Sequence, residues 1–213
     1  MKTRHLPHAA LAALCLALVV PALHAGTPLI CHPYAIDPQW KTLPGGTMKG
    51  ASRDYDRRNL SRDTLALLQP ATPILVRMET LRRAAIYATS GLRQFDNEKY
   101  TADDLAVARD LFDRLQQRVK EAEGDARALA LFDAGFFAET VRHAHLDLGV
   151  DGYPLLLEAR QLRPEAAEID FALALASSWP RGRDSRSEHL AAARAGARPG
   201  TLLAANLDSH FGR

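Results

Sequence analysis

The residues best suited to chemistry in this 213-residue chain are histidines and carboxylates between positions 139 and 147. His143 and His145 have the types of a metal-binding pair, but residues two apart on a helix point in nearly opposite directions. Glu139, His143 and Asp147 do share a helix face, because they are four residues apart. A zinc site uses three or four converging ligands, and no further ligand is indicated. We therefore predict no metal site and expect these side chains to form a solvated polar stripe.

Two further motifs contain residue types used in catalysis or phosphate binding. Cys31 and His32 could supply a thiol and its base, but neighbours in an extended segment point to opposite sides. Residues 45–50 (GGTMKG) have the types of a phosphate-binding loop in the wrong order, so a linker is favoured. The sequence also contains no serine elbow, recognisable catalytic carboxylate pair or dinucleotide fingerprint. We predict no catalytic residue and no cofactor, and an enzyme is the less favoured class.

Arginines on one predicted helix offer a different kind of site. Arg77 borders an apolar stripe, and Glu79 can pair along the helix with Arg82 or Arg83. An arginine beside a core face often buries its stem and pairs locally. We expect Arg77 to form a structural ion pair, with a ligand-clamping arginine as the alternative.

Residues 1–25 have the pattern of a secretory signal peptide. Two basic residues precede an unbroken apolar run over residues 9–20, and Pro21 ends it. This run is shorter than the ~20 residues that span a bilayer. We expect cleavage after Ala25, or else after Ala22, and export to the periplasm or the exterior with no integral membrane segment remaining. An uncleaved anchor is the alternative.

Removing the leader changes the charge and the cysteine content. The leader contains two of the 27 basic residues and none of the 25 acidic residues. The remaining chain therefore has 25 of each, and its formal net charge is zero. A neutral chain has no overall field to attract phosphates, so nucleic-acid binding is disfavoured. Cys31 remains alone, which excludes an intramolecular disulfide. We expect this thiol to pack as a small hydrophobe, with pairing to another chain as the alternative.

The composition predicts the elements that must position these residues. The chain has 37 Ala and 32 Leu but only 12 Val and Ile together, which favours an all-α fold over any sheet. Residues 26–51 are rich in Pro and Gly and predict an extended segment packed on the domain. Residues 52–213 predict a single all-α domain of antiparallel helical hairpins, either a short solenoid or an irregular bundle.

Capping residues and breakers divide this domain into about eight helices. Thr72 and Pro73 begin one that stops near Gly91, and Thr101 begins the next. Asp125 caps a segment that Gly135 is expected to split into a hairpin. Later helices start at Tyr153 and Pro164, and a short pair follows a turn-rich break at residues 179–184.

Part of this pattern resembles tetratricopeptide repeats. Residues 131–139 are similar to the hairpin turn of such a repeat, and residues 159–164 are similar to its end. Residues 189–200 suggest a small-residue helix packed on a neighbour. The resemblance covers about residues 125–211, without the opening aromatic-leucine-glycine signature or two alignable copies at the ~34-residue period.

The resemblance implies a protein-binding surface, usually a concave face. Residues 76–87 also resemble uncharacterised exported bacterial helical proteins, a likeness that implies no activity. The leading hypothesis is an exported, non-enzymatic helical-repeat protein that binds another protein or peptide. The alternatives are a periplasmic enzyme or small-ligand binder with a site between helices, and an envelope component retained by its leader. An open apolar groove would favour the protein-binding hypothesis, and a deep pocket with converging polar groups would favour an enzyme or small-ligand binder.

Overall fold

All the regular structure in the described part of the chain is helical, which confirms the all-α prediction. The structure is a computed structural model that describes residues 28–45, 52, 54–89, 99–177 and 183–212. The helices are α1 (Pro28–Cys31), α2 (Leu60–Leu67), α3 (Ile74–Ala88), α4 (Ala102–Glu121), α5 (Gly124–His143), α6 (Tyr153–Leu162), α7 (Ala167–Ala176), α8 (Arg183–Gly196) and α9 (Leu202–Phe211). A 3-10 turn, Arg57–Asn59, leads into α2. Within these ranges no helix is long and apolar enough to cross a bilayer.

Several predicted features lie outside the described residues. They are the leader, the glycine-rich stretch at 46–50, the helix stop at Gly91 and most of the break at 179–184. α3 itself ends at Ala88, with Thr89 as its C-cap.

The predicted start of α4 is confirmed by its hydrogen bonds. Thr101 Oγ1 accepts from the Asp104 amide at 3.1 Å, and Asp104 Oδ2 accepts from the Thr101 amide at 2.9 Å. This reciprocal capping box satisfies two amides that the helix leaves without partners. The Asp104 carboxylate also receives Arg57 Nη2 at 2.8 Å, so the cap is tied to the turn before α2.

α5 runs unbroken from Gly124 to His143, so the predicted hairpin at Gly135 is wrong. Its N-cap is Glu123 and not Asp125. Gly135 is required by a close approach: a Cβ there would lie 2.7 Å from the Gly152 carbonyl oxygen at the start of α6. A glycine inside a helix therefore marks a contact between helices here, and not a chain break.

α3 and α5 form the centre of the molecule, where 14 of the 15 residues of α3 and 15 of the 20 residues of α5 are buried. α5 packs against α3, α4, α6 and α7. Helices enclosed on all sides have no solvated face, which is why their charged residues lie inside the protein. The chain forms antiparallel neighbours around this centre, since Tyr153 meets Ser177 at one end of the α6–α7 pair and Arg160 meets Asp170 at the other.

Residues 28–45, which we call the N-terminal strap, belong to the hydrophobic core. After α1 the strap is extended, and its side chains Leu29, Ile30, Tyr34 and Leu43 are at most 3% exposed. Cys31 is partly buried and packs against the core. The later helix predicted from Pro164 begins three residues further on, at Ala167, after a turn closed by the Ala166 amide on the Arg163 carbonyl.

Candidate functional site

The predicted solvated stripe on α5 is wrong for two of its three residues. Glu139 is fully buried and His143 nearly so, because the start of α6 covers this side of α5. Glu139 Oε1 accepts from the Gly152 amide at 2.9 Å, and its other oxygen pairs with Arg142. Asp147 lies beyond the end of α5 and is exposed. Glu139 therefore fixes the α5–α6 connection. In the described ranges, no three His, Cys, Asp or Glu residues are grouped as metal ligands.

Arg77 forms a buried ion pair, as expected, but its partner lies on another helix. Its Nη1 is 2.6 Å from Asp133 Oδ2 on α5, and both side chains are at most 3% exposed. Nε donates to the Thr72 carbonyl at 2.9 Å and Nη2 donates to that of Gln69. All three guanidinium nitrogens are thus engaged, so Arg77 joins α3 to α5 and is not placed to clamp a ligand.

Burial raises the pKa of Asp133 to about 6, although Arg77 acts in the opposite direction. Asp133 Oδ1 is buried and accepts no hydrogen bond in the described structure, which is consistent with the cost of its charged form.

A second buried cluster on α3 binds the strap. Glu79 accepts from Arg82 at 2.8 and 2.9 Å and from Arg83 at 2.7 Å, so the predicted pairing occurs with both arginines. Glu79 Oε2 also accepts from the Tyr34 amide at 3.0 Å. Arg82 is fully buried, because the strap covers this face of α3.

The same α3 side chains bind the main chain of the strap. Arg82 Nη1 donates to the Ile30 carbonyl at 3.0 Å, and Arg83 Nη1 donates to that of Leu43 at 2.6 Å. Tyr87 donates its hydroxyl to the Pro44 carbonyl at 2.8 Å. The last carbonyls of the short helix α1 and those of the extended part of the strap have no partners within their own segment, so α3 supplies the donors.

α9 binds the strap from another direction. Asn206 Oδ1 accepts from the Ala35 amide at 2.8 Å, and Asn206 Nδ2 donates to the Ala35 carbonyl at 2.9 Å. One turn further on, the His210 ring stacks on Tyr34 with a 5.0 Å centroid separation. Both contacts fix the strap just before its turn at residues 37–40.

An open cleft of about 490 Å³ lies between that turn and the first residues of α3, α7 and α9. Its lining residues are Asp37, Trp40, Pro73, Leu75, Val76, Glu168, Gly196, Arg198, Thr201, Leu202 and Leu203. Leu75, Val76 and Leu203 are buried, Trp40 is half-buried, and Leu202 is 40% exposed. The turn is held in place because Asp37 Oδ1 accepts from the Gln39 amide at 3.0 Å and the Asp37 carbonyl accepts from the Trp40 amide at 3.0 Å.

A chain of polar side chains joins α6, α7 and α8. His189 Nδ1 is 3.3 Å from Asp170 Oδ1, and His189 Nε2 is 3.0 Å from the Tyr153 hydroxyl. A carboxylate only accepts, so Nδ1 is the donor to Asp170, and Nε2 faces the Tyr153 hydroxyl. Arg160 Nε also donates to both Asp170 oxygens at 3.1 Å. None of these residues lines the cleft.

Sequence spacing did not reveal either the cleft or this polar chain. Both are assembled from residues far apart in sequence, and neither has a local motif. The expectation that residues 26–51 pack on the domain was the one sequence signal that concerned a wall of the cleft. Comparison of the chain with protein-family models, curated proteins and solved structures gives no match.

Proposed function

We propose that this protein is an exported helical module that binds a segment of another protein in the cleft. The observation that carries the proposal is an open, mainly apolar cleft with two large apolar side chains, Trp40 and Leu202, accessible at its edge. Accessible apolar surface next to a concave site is typical of binding surfaces. The likeness of residues 159–164 to the end of a tetratricopeptide repeat points to the same class of function, whereas residues 131–139 lie inside α5 and lend it no support.

The side chains around the cleft favour a peptide that carries an aliphatic residue beside a lysine or arginine. Leu75, Val76 and Leu203 form an apolar floor that suits an aliphatic side chain. Asp37 and Glu168 supply two carboxylates, and Trp40 supplies an aromatic side chain of the type that binds cations best. Arg198 is the one basic residue of the lining, so the charge of the cleft favours a basic segment.

Export remains part of the proposal on the basis of the leader pattern. Intact-mass measurement of the protein recovered from the periplasm or the medium tests it directly. A mass that corresponds to a chain beginning at Gly26, or at Leu23, supports export, whereas recovery of the whole chain from the cytoplasm contradicts it.

The binding proposal is tested with two leucines that are exposed to similar extents. Leu202 lies in the cleft and is 40% exposed, and Leu162 at the end of α6 is 46% exposed outside it. The probes are two fluorescein-labelled decapeptides, one with Leu-Leu-Lys and one with Leu-Leu-Glu at its centre, and the readout is fluorescence anisotropy. We expect the lysine peptide to bind more tightly than the glutamate peptide. We also expect L202E to weaken that binding at least tenfold and the control L162E to leave it unchanged. Equal effects of the two variants, or no binding of either peptide, would contradict the proposal.

A second candidate function, an enzyme with a site between helices, is favoured by the Asp170–His189–Tyr153 chain. A hydroxyl next to an oriented imidazole is the arrangement that activates a nucleophile. The test is hydrolysis of p-nitrophenyl acetate by the purified chain. Loss of turnover in both Y153F and H189N would support an enzyme. Equal rates in the wild-type protein and both variants would show that Tyr153 and His189 do not catalyse this hydrolysis.

A further inference from the structure

His210 lies at the point where α9, α7 and the strap meet. It is 7% exposed, and its ring is nearly parallel to that of Tyr34, with an interplanar angle of 6°. Phe171 contacts it edge-on at 5.4 Å between centroids, and His32 does so at 5.8 Å. Three of its neighbours are therefore aromatic rings, and two of these belong to the strap.

The hydrogen bonds of His210 suit a neutral ring. Nδ1 is 2.9 Å from the Asn206 carbonyl oxygen, which can only accept, so Nδ1 carries the proton. Nε2 is buried and makes no hydrogen bond within the described residues. A second proton would therefore place a charge on an enclosed ring, where the backbone of His32 offsets only part of the cost of burial.

The charged groups around His210 also oppose a second positive charge. The strap presents His32 and Tyr34, and α3 presents Arg82, whose charge is compensated by Glu79. α7 contributes the uncharged Phe171. Burial is the largest influence and lowers the pKa of His210. The backbone hydrogen bonds of Asn206 and His32 raise this pKa, the charges of His32 and Arg82 lower it, and the net shift is downward.

We propose that His210 is a pH-sensitive latch, whose neutral ring holds the strap on α9 and whose protonation releases it. The released part is the strap from His32 to the turn at residues 37–40, where Asn206 and His210 make their contacts. That turn is one wall of the cleft, so the latch also makes peptide binding weaker in acid. This last consequence rests on the proposed function, whereas the latch itself does not.

The pH dependence of strap docking is set by whether the docked or the released state binds more protons. A released histidine has a pKa near ~6.5, and the docked one has a lower pKa. Docking is therefore strongest above about pH 7 and weakens as the pH falls below ~6.5. The docking equilibrium changes by up to about tenfold per pH unit until the docked pKa is reached.

Hydrogen exchange of single amides in the full chain tests the latch. The Ala35 amide, which donates to Asn206, reports the strap, and the Phe136 amide in the centre of α5 reports the core. Exchange is measured from pH 7.5 to pH 5.0 and corrected for the intrinsic rate. We expect protection of Ala35 to fall about tenfold or more over this range while protection of Phe136 falls much less. Unchanged protection of Ala35, or a parallel loss at both amides, would overturn the proposal.

Variants assign the pH dependence to one residue. H210F keeps an aromatic ring against Tyr34 but cannot titrate, so Ala35 protection should become independent of pH. If H210F does not fold, H210Q replaces it with the same expectation. The control H145N alters an exposed histidine at the end of α5 and should retain the wild-type response. A wild-type pH response in the His210 variant would overturn the latch.

The latch and the proposed function can fail separately. L202E removes the apolar edge of the cleft without touching the contacts of His210, so its Ala35 exchange should keep the wild-type pH response. A normal exchange response together with no peptide binding would contradict the proposed function alone. Peptide binding that is equally tight at pH 7.5 and pH 5.0, with no exchange response, would contradict the latch alone.

Discussion

Four charged side chains in the interior join α3 to α5 and to the strap. Arg77 pairs with Asp133 across α3 and α5, and Arg82 pairs with Glu79 on α3 beneath the strap. Each pair is at most 3% exposed, so each charge depends on its partner and on its hydrogen bonds for stability. Removing one partner of a buried pair leaves an uncompensated charge and costs far more than removing a surface pair.

Replacing Arg77 with alanine should destabilise the protein by about 3–5 kcal/mol. The change leaves Asp133 buried without its ion-pair partner and removes the guanidinium donors from the Thr72 and Gln69 carbonyls. Urea unfolding monitored by circular dichroism measures the loss. The control R114A removes an exposed arginine of α4 that pairs with Asp110, and should change stability by less than ~1 kcal/mol. Equal stability of R77A and the wild type would show that the ion pair has no structural role.

Asp133 should give the protein a characteristic pH dependence. Its pKa is about 6 in the folded state against an ordinary value near 3.8, so the folded state holds the proton more tightly than the unfolded state. This group therefore favours folding below about pH 4, and that contribution is lost as the pH rises through about 6. The change is on the order of 3 kcal/mol, from the shift in pKa.

The variant D133N isolates this contribution, because asparagine does not titrate. Urea unfolding of both proteins at intervals from pH 4 to pH 7 gives the difference in their free energies of unfolding. We expect the stability of D133N relative to wild type to rise across this range. His210 acts in the opposite direction, since its lowered pKa reduces stability as the pH falls below ~6.5. A difference that is constant with pH would contradict the assignment to Asp133.

At the scale of elements, the contact between α5 and α6 depends on two glycines. A Cβ on Gly135 would lie 2.7 Å from the Gly152 carbonyl oxygen and 3.0 Å from Leu155 Cβ. A Cβ on Gly152 would in turn collide with the Gly135 carbonyl. The two helices therefore approach more closely than any other residue type permits at these positions.

Substitution of Gly135 by alanine should destabilise the protein by about 1–3 kcal/mol, because the added methyl group overpacks the contact. Helix propensity alone predicts the reverse, since alanine is better than glycine inside a helix by about 1 kcal/mol. The control A126G, at an exposed position of the same helix, measures that propensity and should cost about 1 kcal/mol. Thermal unfolding of both variants separates the two effects, and stabilisation by G135A would refute the close approach.

The sequence predicted the helices better than it predicted their burial. The capping box at Thr101 is local, so its residue types were sufficient to place the start of α4. The burial of Glu139 and Arg82 depends on other elements: α6 covers Glu139, and the strap covers Arg82. A periodic pattern assigns polar residues to solvent by default, and it fails on helices that are enclosed on all sides. The cleft could not be predicted for the same reason, since its walls come from the strap, α3, α7, α8 and α9.

At the scale of the whole molecule, the strap connects elements that are far apart in sequence. It is bound by Arg82 and Arg83 of α3 and by Asn206 of α9, and its turn completes the cleft. The strap is thus part of the core and part of the proposed binding surface. Changes in how firmly it is docked should therefore affect stability and binding together.

Deleting the strap should abolish cooperative folding. A chain that begins at Ser52 lacks the buried side chains Leu29, Ile30, Tyr34 and Leu43. Each such side chain stabilises the fold by roughly 1.5–3 kcal/mol, so their loss approaches the ~5–15 kcal/mol of a whole domain. The deletion also leaves Arg82 and Glu79 without the strap groups to which they are hydrogen-bonded. The control begins at Gly26 and keeps the strap, so it should unfold in one cooperative thermal transition by circular dichroism. The same transition in the chain that begins at Ser52 would show that the strap is dispensable for the fold.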